Sequence, residues 1–333
     1  MKRLLAIVID LLLGAAVGAL LASVIVPALL DAGATSDVTT GLYASALGAA
    51  VFALAGIFAE ASIGGVSLGI DAPEGRSIRI VSHLGWLTLA VFIVGGWIIT
   101  AISPIEFFSG DGLAGAGRIF QALVTPEFDI IGEALSAMVV TIFTAFMATV
   151  IAVPISFVLS FPAARNVMSD TPLTKSIYVV LRIVLNIMRS MEPIIWAIVF
   201  SVWVGIGPFA GMLALVVHTV ASLTKQYSEQ IEDVNSGPIE AISATGASRI
   251  QVLWFAIVPQ CVIPFLSFTI YRWDINVRMA TIIGFVGGGG IGTLLTQYQG
   301  LAKYNEVGTL VILITAAVWI LDVMSARVRE ALR

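Results

Sequence analysis

Between Leu4 and Leu30 the chain carries a single charged residue, Asp10. A helix of that length crosses about 30 Å of hydrocarbon, and comparable apolar stretches recur at about 42–58, 83–103, 134–161, 177–205, 208–225, 252–273 and 307–326. In lipid every backbone group must be paired internally, so a spanning segment is either a helix or a strand of a closed barrel. Barrel strands alternate apolar and polar positions, whereas these runs are continuous. The expected fold is an all-α integral membrane protein with about eight transmembrane helices. Composition agrees: 59% of residues are hydrophobic and 11% charged, where a soluble domain carries about 25% charged residues. Lipid, not water, is the main solvent.

Met1-Lys2-Arg3 ahead of an apolar run imitates a secretory signal. The run exceeds the about 7–15 residues of a signal core, so the first helix is read as retained. The second stretch is the shortest. The fifth contains Glu192-Pro193, and the proline predicts a kink or break near its middle. With both termini inside, inner segments hold eleven of the 17 lysines and arginines and outer segments four, counting Arg272 and Arg278 among the outer ones. The positive-inside rule then places both termini in the cytoplasm. The segment 104–133 is acidic and, in this orientation, external. Ile119, Phe120, Leu123 and Val124 share one helical face there, as in a helix lying at the membrane interface. This segment separates three front spans, within 1–103, from five back spans, within 134–333.

Few residues invite chemistry. Cys261 is the single cysteine, so intramolecular disulfides and cysteine metal sites are excluded, and its apolar neighbours mark it as packing. His83 and His218 are far apart and read as helix packing more readily than as metal or proton sites. No metal-ligand cluster, nucleophile–base set or nucleic-acid-binding feature is legible. Asp10, early in the first span, is a candidate partner for another helix. No catalytic residue is assigned.

The informative polar segment is 225–251. Asn235-Ser236-Gly237-Pro238 is a turn signal, and a short helix is expected from near Ile239, with Glu240 in its first turn beside the positive end of the helix dipole. Gly246 ends or interrupts it, and Ser248 can cap the next helical segment. Such a helix across the mouth of a bundle suits docking of a soluble partner. Glu240-Ala241, Gly246-Ala247 and Pro259 resemble the EAA loop of bacterial ABC-importer permeases. Gly246 falls six residues after Glu240, and Pro259 thirteen after Gly246. Ile242, Ala256 and Val258 depart from the pattern, all with apolar side chains. The resemblance implies a coupling helix that inserts into a groove on a separate ATPase.

The stretch Tyr271-Arg272-Trp273-Asp274-Ile275-Asn276-Val277-Arg278, with the glycine-rich run 284–292, looks like the phosphonate-importer permease (PhnE) family. Arg189-Ser190 with Glu192-Pro193, Gly205–Gly211 and His218-Thr219 match in style. The resemblance covers roughly 130–330 and implies a five-helix permease core after a three-helix N-terminal extension. It implies a bacterial cytoplasmic-membrane importer of phosphonate, phosphite or phosphate. The implied partners are a cytoplasmic ATPase dimer that binds ATP and Mg, an external substrate-binding protein and a second copy of this chain.

The glycine run lacks the Gly-Lys-Ser/Thr ending of a phosphate-binding P-loop. Gly287, Gly288, Gly289 and Gly290 are therefore candidates for a gate loop near the outer mouth, with plain helix packing as the competing explanation. Arg182 and Arg189 lie seven apart on one helix face. Arg189, Arg272 and Arg278 suit a tetrahedral oxyanion because guanidinium forks match its oxygens. Structural ion pairs with Glu192 and Asp274 are the favoured reading, because importers of the resembled type take selectivity mainly from their external binding protein. A permease for another solute, such as methionine, would keep the EAA loop. An ion-driven secondary transporter would not require it.

Overall fold

The computed structural model describes residues 2–25, 38–59, 63–67, 76–168 and 171–331, and among these every regular element is helical. Two units are distinguished, Met1–Leu113 and Ala114–Arg333.

The first unit contains α1 (Lys2–Leu20, continued by a π turn Leu21–Ile25), α2 (Val38–Ala59), α3 (Ile63–Ser67), α4 (Arg76–Ile99) and α5 (Pro104–Phe107). Small residues bring α1 and α2 together: a Cβ on Gly14 would lie 2.5 Å from the Gly48 carbonyl oxygen, and Gly18 faces Ala44 as closely. Without a hydrophobic drive between helices in lipid, such backbone approach supplies the packing. Asp10 is buried and its Oδ1 accepts the Gly64 N–H at 2.8 Å, so it does meet another helix.

The division between the units falls within α6 (Gly110–Val124). Of the apolar face expected on it, Ile119, Phe120 and Val124 are exposed.

The second unit is organised around α7 (Ile131–Ser160). Its buried side chains, Ala134, Met138, Thr141, Ala145, Ala148, Thr149, Ala152 and Ser156, recur every three or four residues, whereas Val139, Phe143, Phe146 and Val150 are exposed. Small and hydroxylic residues inside with large apolar ones outside is the pattern of a membrane helix. Around it lie α8 (Pro172–Ser190), α9 (Pro193–Val204), α10 (Pro208–Glu232), α11 (Ser236–Ala244), α12 (Arg249–Val252), α13 (Val258–Ile283), α14 (Gly290–Gly300) and α15 (Tyr304–Ala331).

Among the described residues six helices are long and apolar enough to span: Leu5–Ile25, Ile78–Ile99, Phe128–Ser160, Pro208–Glu232, Arg249–Val286 and Tyr304–Ala331. The pair α8–α9 makes a seventh if taken as one span bent by 90°, and α2 supplies the shorter apolar helix Leu42–Leu54. A helix thus meets each of the eight expected stretches, although eight is only approximate as a count of full spans. The α8–α9 break falls where Pro193 predicts it. Proline disfavours the helical conformation for its predecessor, and Glu192 is extended (φ −63°, ψ 146°).

One expectation needs correction. The seventh span does not end at 273; α13 runs on to Ile283, so Arg272 and Arg278 lie within a helix and not in an outer loop. No helix breaker separates them from the apolar stretch; Arg272 is buried against His218, and Arg278 pairs with Asp274.

Candidate functional site

The polar segment after α10 folds as a short helix between two spans. Its N-cap is Asn235, whose side chain accepts the Gly237 N–H at 2.9 Å, and α11 begins at Ser236. Glu240 consequently falls in the second turn, and the dipole role expected for it in the first does not hold. Gly246 follows the C-cap Thr245 with φ +80°, the left-handed conformation in which glycine carries no steric penalty. Among the described residues, nothing but its chain neighbours lies within 4 Å of the position its Cβ would take. Ser248 caps α12 through a reciprocal capping box with Gln251. A π turn, Leu253–Ile257, then leads into α13, with Pro259 in its first turn. Glu240, Ala241, Gly246 and Pro259 are exposed and Ala247 is half-buried. Ile250, Trp254 and Phe255 also face outward, giving an open apolar and polar surface beside α11.

A buried polar connection holds the bundle's centre. Asn276 donates from Nδ2 to Thr149 Oγ1 at 2.9 Å and accepts from Thr219 Oγ1 at 3.0 Å, linking α7, α10 and α13. Nearby, Arg272 is 8% exposed, and its Nη2 is hydrogen-bonded to His218 Nδ1, with Nε unpaired. Arg189 lies within electrostatic reach of His218, and Glu192 within reach of Arg272. On a different face of α13, Arg278 pairs with Asp274, and Asp322 of α15 lies 3.5 Å from Arg278. The five charged candidates therefore divide. Arg189, Glu192 and Arg272 group with His218, whereas Asp274 and Arg278 group with Asp322. Of the ion pairs considered from the sequence, only Arg278–Asp274 forms.

The glycine run links α13 to α14. Gly287, Gly289 and Gly290 all have positive φ, 89°, 73° and 71°, which turns the chain sharply between two helices. The run is packed inside the bundle. Thr141 Oγ1 accepts the Ile291 N–H at 2.9 Å, and a Cβ on Gly289 would lie 2.5 Å from Pro208 Cγ. At the other end of α14, the Tyr298 hydroxyl donates to Glu133 at 3.2 Å. Glu133 and Thr141 are eight residues apart on α7, or about 12 Å along its axis. Hence α14 runs from the bundle interior to the end of α7. A short helix entered from a buried loop is tolerated at such depth because its irregular backbone is enclosed by protein.

Arg272 was legible as a pathway candidate, whereas His218 read as packing, Thr219 and Asn276 entered only as parts of the family motifs, and Thr149 was passed over. Asn276 carried a usable signal, because an amide within an apolar helix needs a partner. Among the described residues no group of three His, Cys, Asp or Glu side chains could hold a metal.

A bundle of apolar helices with one sharply bent pair, a buried polar centre and an exposed helix between two spans is a membrane transport subunit. More closely, the chain belongs to the family of binding-protein-dependent transport system inner membrane components, which matches residues 156–333. It is 32% identical over 255 residues to the phosphite transport system permease protein PtxC of Stutzerimonas stutzeri, covering 74% of this chain and 90% of that one. It is 39% identical over 119 residues to a putative cryptic phosphonate transport system permease protein, PhnE2, of Escherichia coli K12, covering 36% of this chain and 98% of that one. The fold is similar to that of a chain from the inward-facing methionine ABC transporter MetNI. The TM-score is 0.50 at 21% identity, over 61% of this chain and 96% of the other. The chain is accordingly an ABC-importer permease subunit and not an enzyme in itself; the ATPase of such a system is a separate subunit.

Proposed function

We propose that this permease carries a phosphorus oxyanion, phosphite or a phosphonate, in an importer driven by a separate ATPase. The observation that carries the substrate class is the 32% identity to a phosphite permease across 90% of that relative's length. In this reading two copies of the chain form the pathway, with 134–333 as the transport core and the three spans of 1–103 as an accessory bundle. Both termini face the cytoplasm. An external binding protein delivers the anion. Two ATPase subunits, holding ATP and Mg, dock on the 236–250 segments. Glu240 and Ala241 present the docking face, Gly246 supplies the turn behind it, and Ala247 and Pro259 set the return into α13.

Closure of the ATPase dimer would move α11 and shift the bundle between inward and outward access, since the two states make different contacts with the ATPase. Arg189 and Arg272 supply the positive charge for a passing oxyanion, with His218 accepting a hydrogen bond from Arg272 and Glu192 beside them. Asp274 and Arg278 fit a structural pair better, because their charges already compensate each other. Gly287–Gly290 form the turn at which α14 could be displaced.

The test is ATPase activity of the reconstituted complex with its binding protein, in the presence of phosphite, methylphosphonate, phosphate or methionine. Stimulation by a phosphorus oxyanion supports the assignment. Stimulation by methionine alone would keep the permease and remove the phosphorus substrate. No association with an ATPase would overturn the reading altogether.

A further inference from the structure

The exposed helix α11 is tethered to the bundle twice at its N-terminal end, and the two tethers lead to different spans. At its N-cap, Asn235 exchanges bonds with Gln260 of α13: the Asn235 N–H donates to Gln260 Oε1 at 3.1 Å, and Gln260 Nε2 donates to the Asn235 carbonyl at 3.4 Å. The second tether is Glu232, the last residue of α10 and three residues ahead of the N-cap. One oxygen, Oε1, accepts both the backbone N–H of Arg165 at 2.7 Å and Nη2 of Arg182 at 2.6 Å. Arg182 also donates from Nε to the Ala163 carbonyl at 3.0 Å, and Asn166 Nδ2 donates to the Ile231 carbonyl at 2.7 Å. The loop after α7, the middle of α8 and the end of α10 thus meet at one carboxylate.

Arg182 lies on the same unbroken helix as Ser190, where the 90° bend into α9 begins. A helix transmits displacement along its axis because its backbone bonds resist compression. A pull on the end of α10 is therefore delivered through Arg182 to the bend carrying Arg189 and Glu192.

We infer that Glu232 and Arg182 form a clasp that transmits movement of α11 to the α8–α9 bend, and so couples ATP hydrolysis to opening of the pathway. Arg182 is a positioning residue: it touches neither the ATPase nor the anion. This inference rests on the reading of 236–250 as the ATPase-coupling segment. The clasp stands apart from the Asn235–Gln260 tether, which leads to α13 and the glycine turn. Loss of one tether leaves the other in place, so the predicted defect is slippage and not arrest.

The experiment measures ATP hydrolysed per phosphite taken up by proteoliposomes holding the complete transporter. It compares wild type, Arg182→Met, Glu232→Gln and the double variant. Each single variant should raise the ratio by about fivefold or more, the lower range of typical coupling factors, and the double variant should be no worse than either single one. A purely structural clasp would reduce the amount of assembled complex and leave the ratio of assembled molecules unchanged; that result overturns the inference. Arg182→Lys keeps a cationic donor for Glu232 and should stay near the wild-type ratio, so a Lys variant as uncoupled as Met also overturns it. Gly246→Trp distinguishes the two levels of the account. If Gly246→Trp couples normally, the docking segment has been misassigned. If it abolishes coupling while the Arg182 and Glu232 variants behave as wild type, the clasp alone fails.

Discussion

Asn276 donates to Thr149 across 2.9 Å, joining residues 127 positions apart in the chain. With Thr219 on its other side, the amide fixes the registers of α7, α10 and α13 at once.

Interhelical hydrogen bonds in membranes average about 0.6 kcal/mol and reach about 1.7 kcal/mol. Asn276→Ala removes two of them, so the expected loss is about 1–3 kcal/mol in a detergent unfolding titration. Thr219→Val should cost roughly half as much, because Asn276 keeps its bond to Thr149.

Asp274 is 2% exposed and Arg278 46%, so removing the arginine leaves a buried carboxylate facing Asp322, with only Arg329, beyond ion-pair distance, as a cation. Breaking a fully buried pair costs about 3–5 kcal/mol, and solvent reaching Arg278 lowers this to about 2 kcal/mol. Arg278→Gln should destabilise by that amount in the same titration. The double change with Asp274→Asn should recover most of the loss. An anion-contacting Arg278 would instead show a transport defect that the double variant fails to repair.

A Cβ on Gly284 would lie 2.7 Å from the Cα of Gly292, a backbone atom that cannot step aside. Gly284→Ala should therefore sharply reduce the monodisperse fraction on size-exclusion chromatography. Gly300→Ala, where nothing lies within 4 Å, should leave it unchanged.

At Gly246 the difficulty is conformational rather than spatial. An alanine at φ +80° costs about 1–2 kcal/mol, confined to the exposed end of α11. Gly246→Ala should raise hydrogen exchange across 240–248 several-fold with little effect on overall unfolding.

Much of the architecture was legible because lipid imposes a simple rule on sequence: long uncharged runs become helices. The break at Glu192-Pro193 was equally legible, since a proline acts on its own neighbour. The extension of α13 beyond 273 was not. Hydropathy counts Arg272, Asp274 and Arg278 as polar wherever they sit, whereas in the bundle Arg272 meets His218 and Asp274 meets Arg278. The start of α11 was misplaced because Asn235 caps the helix directly, bringing Ser236, Gly237 and Pro238 into its first turn. The Glu232–Arg182 clasp lay beyond any reading of the sequence. Its partners are 50 residues apart, and no local pattern marks them as neighbours.

Uptake of radiolabelled phosphite by proteoliposomes containing the permease, its ATPase and its binding protein tests the central claim most directly. The account predicts uptake that requires ATP, persists without any ion gradient and is abolished by Gly246→Trp. Uptake driven by a proton or sodium gradient without ATP would contradict it.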